Sequence, residues 1–99
     1  MLELVKKALR ISTTAYDDEL SLVISAALID LGIAGIKEDI ITADPDELDP
    51  LVKRAVITFC KLSFGLPEDY ELLKASYDEQ KAQMVSSSNY HDWLVTDNV

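Results

Sequence analysis

Residues 49–65 read DPLVKRAVITFCKLSFG, and both ends of this stretch carry helix signals. Asp49 can accept a backbone N–H bond in the first turn, and Pro50 fits the first helical position, where its missing donor costs nothing. At the far end Gly65 can take the left-handed conformation that follows a helix, and Pro67 prevents continuation. Between these marks Leu51, Val52, Ala55, Val56, Phe59 and Cys60 recur at helical spacing. Ile57, Leu62 and Phe64 widen the apolar arc, while Arg54, Thr58 and Lys61 share the opposite face. Full burial of each large apolar side chain contributes roughly 1.5–3 kcal/mol, so this helix is expected to be the central one of its domain.

Upstream, residues 14–31 read as a second helix. Thr14 is its expected cap, and Asp17, Asp18 and Glu19 place negative charge in its first turn. Leu20, Val23, Ile24, Ala27, Leu28 and Leu31 form the main stripe, and Leu22, Ala26 and Ile29 form another. A helix that is apolar over so much of its circumference either lies deep in the monomer or sets one face against another chain. A chain this small has little depth, which favours the second option. Gly32 and Gly35 are expected to end this helix. Residues 1–10 precede it as a short amphipathic helix, with Leu2, Val5 and Leu9 on one face and Lys6, Lys7 and Arg10 mostly elsewhere.

Downstream of the second helix, residues 36–48 read as a loop with at most one helical turn. Its cluster Asp44, Asp46, Glu47 and Asp49 lacks the glycine and the distal glutamate of a calcium loop, so no metal site is expected. A fourth helix covers residues 69–84, with Tyr70, Leu73, Tyr77, Gln80 and Met84 near one face. Glu71, Lys74, Asp78 and Lys81 lie on another at spacings that permit ion pairs. The fold class expected is therefore all-α, a small bundle of about four helices at approximately 1–10, 14–31, 50–64 and 69–84. Residues 1–84 would form the helical domain and residues 85–99 an irregular C-terminal tail or arm. That tail holds Tyr90, Trp93 and Leu94, more apolar surface than a solvated terminus needs; Trp93 either folds back on its own domain or docks on a neighbouring chain.

A length of 99 residues gives room for one core, and no run of apolar residues is long enough for a membrane span. The opening MLELVKKALRIS lacks the layout of an export signal, so no export is expected. One cysteine allows no internal disulfide, and with one histidine it is too little for an all-N/S zinc site. The net charge of -9, from 18 acidic and 9 basic residues, disfavours wrapping of nucleic acid. It serves solubility, and it also suits a surface past which a duplex must slide without sticking.

No catalytic constellation is present: no glycine-rich phosphate loop, no paired histidines and no nucleophile elbow. Cys60 on an apolar helix face reads as an inert buried thiol, and His91 lies far from it in sequence. Asp30 reads as a surface residue at a helix end. No enzyme activity and no cofactor are expected.

The order of the pieces is similar to a known family. An opening helix ending in LRIS is followed by TTAYDDELSLVISAALIDL, by DPLVKRAVITFCKLSFG, by a Tyr-rich YELLKASYDEQKAQM and by a terminal SSNY. This series, over about residues 1 to 90, resembles the head-tail connector (adaptor) proteins of tailed bacteriophages, also called phage DNA-packaging proteins. Its most telling parts are Tyr16 to Leu20 with Ala26 and Ala27, Asp49-Pro50-Leu51 leading to Phe64-Gly65, and Tyr77 with Tyr90. The resemblance implies an all-α virion protein at the head-tail interface, assembled in the host bacterial cytoplasm. Its copies would form a dodecameric ring beneath the portal protein and extend the DNA channel without sequence-specific binding. The far side of the ring would meet the next head-completion or stopper protein, with no membrane involved.

On that reading, Leu22, Ala26, Ile29, Tyr70 and Tyr77 are the expected subunit-interface residues. Tyr90, Trp93 and Leu94 are the expected portal-docking residues. The rival from a different class is a monomeric acidic phage regulator that binds a host protein as a DNA mimic, which predicts no self-association.

Overall fold

In the computed structural model, which describes residues 1–44, 47–64, 67–87 and 89–90, the stretch that opens at Asp49 is a helix. Oδ1 of Asp49 accepts the Leu51 N–H at 2.8 Å and its carbonyl accepts the Lys53 N–H at 3.0 Å, so one residue serves two donors of the first turn. The helix runs Pro50–Phe64; its expected terminator Gly65 lies outside the described residues. In chain order the fold is α1 (Leu2–Leu9), α2 (Asp17–Ile33), the single-turn α3 (Glu38–Ile41), α4 (Pro50–Phe64) and α5 (Tyr70–Val85). A 3-10 turn, Pro67–Asp69, leads into α5. The protein is an all-α bundle.

Helix α4 is central because it touches α1, α2 and α5. Val52, Ala55, Val56 and Cys60 are fully buried on it. Leu20, Ile24, Ala27 and Leu31 of α2, Val5 of α1, and Tyr77 and Met84 of α5 complete the same core. Phe59 is half-buried and sets its ring edge-on to Tyr77 with centroids 5.3 Å apart.

Several local expectations need correction. Thr58 is not on a solvated face but 8% exposed, and its hydroxyl donates to the Arg54 carbonyl at 3.0 Å, which satisfies it inside the helix. Leu51, expected on the apolar face, is exposed. Thr14 does not cap α2 with its side chain. The helix opens after Tyr16 without a side-chain cap, the Asp17 N–H meets the Thr14 carbonyl at 3.1 Å, and it is the Thr13 hydroxyl that accepts from Ala15.

Gly32 does not end α2, which continues to Ile33. It allows a close approach instead: a Cβ there would lie 3.0 Å from Cδ1 of Ile41, where α3 folds over the helix end. The stop is Gly35, at φ 107°, with Gly35 N–H to Gly32 carbonyl and Ile36 N–H to Leu31 carbonyl closing the turn. The end of α1 uses the same pair of bonds around Arg10, at φ 60°. Lys6, expected away from the core, is buried and pairs with Asp17 at 2.9 Å, fastening α1 to the first turn of α2.

Candidate functional site

Asp30, Tyr77 and Lys81 are committed to one another between α2 and α5. Oδ2 of Asp30 accepts the Tyr77 hydroxyl at 2.5 Å and Lys81 Nζ at 3.1 Å, while Nζ also lies 5.1 Å from the Tyr77 ring centroid. Burial works against the Asp30 charge, but the bonds from Tyr77 and Lys81 and the charge of Lys81 outweigh it and hold the carboxyl below its ordinary value. The same burial, with the Asp30 acceptor, raises Tyr77. Asp30 is thus neither a plain surface residue nor a poised base. Burial pushes the Cys60 thiol up to about 11, which keeps it protonated at neutral pH. Among the described residues no group of His, Cys, Asp and Glu could hold a metal ion, and no helix is long and apolar enough to cross a membrane.

The conspicuous feature is the outer side of α2. Its inner side is spent on Leu20, Ile24, Ala27 and Leu31, and diametrically opposite stand Leu22 (71% exposed), Ala26, Ile29 (62%) and Ile33 (80%). These four fall at steps of four, three and four residues, so they form one continuous apolar strip, with Asp18 and Glu19 exposed at its N-terminal end. Ile33 was not among the expected interface residues, although its position four after Ile29 continues the strip.

On α5, Tyr70 is exposed, and so is Leu72 (74%), which the helical pattern alone did not single out. Tyr77 differs from the other expected interface residues: at 4% exposed, its ring and hydroxyl are used by Phe59 and Asp30, which leaves almost nothing for a neighbour.

At the C-terminal side, Tyr90 lies back on its own chain. Its carbonyl accepts the Lys37 N–H at 2.6 Å, and its hydroxyl donates at 2.9 Å to the Asp49 oxygen that the helix cap leaves free. That bond, with some burial, raises the Tyr90 phenol. Trp93 and Leu94, the other expected docking residues, and His91 lie outside the described residues.

Comparison with known proteins gives one positive finding. A family model described as phage connector protein matches residues 1–91. No curated protein and no solved structure matches the chain. The match spans all five helices and the segment through Tyr90, so the chain belongs to the phage connector protein family, a structural, non-enzymatic family of the phage particle.

Proposed function

We propose that this chain is a head-tail connector subunit that works by assembly. Copies close into a ring, dodecameric as the family resemblance implies, below the portal protein. The ring extends the DNA channel and offers its far side to the next head-completion or stopper protein. One observation carries this reading beyond family membership: α2 turns Leu22, Ala26, Ile29 and Ile33 outward after its opposite side has filled the core. A contiguous apolar strip of this kind marks an interaction surface. In a head-to-tail ring each copy presents one surface to a different surface of the next, so such a strip is covered on assembly. The net charge of -9 supports a channel wall that a duplex passes without sticking. The C-terminal tail with Tyr90, Trp93 and Leu94 is the segment proposed to dock on the portal.

Sedimentation velocity of the purified chain, alone and mixed with the portal encoded by the same phage genome, tests the proposal. A ring, or a fast-sedimenting complex with the portal, is the expected result. A monomer under both conditions would overturn it and favour the acidic regulator.

A further inference from the structure

Helices α4 and α5 leave a shallow groove between them on the side away from α2. Its floor and rim include Lys53, Arg54, Ile57 and Lys61 from α4 and Leu73 from α5. The chain has only nine basic residues and a net charge of -9, yet three of the nine line this one groove. Lys6, Lys74 and Lys81 spend their charges on Asp17, Asp78 and Asp30; among the described residues no ion pair engages Lys53, Arg54 or Lys61. The groove thus combines three cations with the apolar Pro50, Ile57 and Leu73 and the neutral polar Thr58, Ser76 and Gln80.

We infer that the outer face of α2 in one copy seats in the α4–α5 groove of the next copy, an assignment that rests on the ring reading above. The two surfaces are complementary in chemistry. The strip offers Leu22, Ile29 and Ile33 with Asp18 and Glu19 at one end, and the groove offers Ile57 and Leu73 beside the three cations Lys53, Arg54 and Lys61. They match in length: the apolar strip from Leu22 to Ile33 and the groove side of α4 from Pro50 to Lys61 each span about 16 Å at about 1.5 Å per residue. They also point apart. Helix α2 turns Leu20, Ile24, Ala27 and Leu31 towards the core and its strip away, whereas α4 turns Val52 and Val56 inward and the groove outward.

A copy consequently cannot seat its own strip in its own groove. The contact joins unlike surfaces and propagates in one direction, as a closed ring requires. It is a helix-in-groove contact. Duplex DNA is the rival occupant of the cations, but phosphates offer nothing to the exposed leucine and isoleucines of α2.

Two full-length variants test the pairing. Lys53→Glu with Arg54→Glu reverses the groove edge, and Asp18→Lys with Glu19→Lys reverses the end of the strip. Each variant alone is expected to need a roughly tenfold or higher concentration to self-associate, because like charges then face each other. An equimolar mixture is expected to recover assembly, since each reversed surface now has a complement on the other variant. In parallel, oxidation of a Leu22→Cys, Leu73→Cys chain is expected to give a ladder of covalent oligomers. Thermal melts like the parent's show that the variants are folded.

Parent-like assembly by both variants with no ladder would overturn the pairing and leave the ring reading standing. Absence of self-association by the parent, alone and with portal, would overturn both. If groove reversal abolished retention of the chain on duplex DNA while assembly stayed unchanged, the groove would belong to DNA and the pairing would fall.

Discussion

The Tyr77 hydroxyl reaches Oδ2 of Asp30 at 2.5 Å, and this contact ties α5 to α2, two helices whose backbones scarcely meet. Both pack on α4, and this bond, with Lys81 on the same carboxylate, adds a direct tie between them. Tyr77→Phe should destabilise the fold by about 1 kcal/mol, and Asp30→Ala by about 1–3 kcal/mol, because it strands a largely buried hydroxyl as well as Lys81. A double-mutant cycle in urea should show that the two losses are not additive. Additive losses would mean that the bond contributes no coupling between the helices.

Acid should act through the same carboxyl. Because folding holds Asp30 below its ordinary 3.8, its stabilisation is complete above that value and fades as pH falls through the lowered folded-state value. Other carboxylates titrate in this range, so the informative quantity is the difference between parent and Asp30→Asn. That difference is expected to shrink as pH drops below about 4. A gap that stayed constant down to pH 2 would remove Asp30 from the acid response.

Core and strip should separate cleanly under mutation. Leu31→Ala, at a fully buried site, is expected to cost about 2–5 kcal/mol. Phe59→Ala should cost about 3 kcal/mol, the low end for its type, because the ring is only half-buried. Leu22→Ala should leave the melting temperature within about 1–2 °C while weakening self-association. A large loss of stability for Leu22→Ala would place that side chain in the monomer core.

Portal docking by the tail can be tested with its anchor intact. Removing residues 91–99 keeps Tyr90 and its bonds to Lys37 and Asp49, so the domain should melt like the parent. Portal pull-down is expected to fail with this truncated chain. Undiminished capture would assign docking to the helical body.

Cys60 should resist alkylation under native conditions and react once urea unfolds the chain, since burial excludes the reagent and keeps the thiol protonated. Rapid native labelling would require the α4 core to open readily.

The helices were legible in the sequence because each inner face repeats at helical spacing and three ends carry strong markers: Asp49-Pro50, Gly35, and the basic last turn of α1. The outward strip was legible too, since Leu22, Ala26 and Ile29 stand opposite Leu20, Ile24 and Ala27. What stayed hidden were relationships between distant residues. Nothing local in Asp30 announces a tyrosine 47 positions on, and nothing in Thr58 shows that its hydroxyl is satisfied within its own helix. Lys6 looked solvated because its helix is short, yet Asp17 draws it into the core's edge. Periodicity put Arg54, Thr58 and Lys61 on one face of α4, but that Leu73 of α5 closes that face into a groove depends on how α5 lies along α4.

Asp49 gives one oxygen to the first turn of α4 and the other to Tyr90. Tension applied at Tyr90 therefore has two routes into the fold, along the covalent chain to the end of α5 and through this side chain. The second route runs through the Tyr90–Asp49 bond and arrives, one residue later, at the start of the central helix, so that a grip on this end of the molecule also pulls on its keystone.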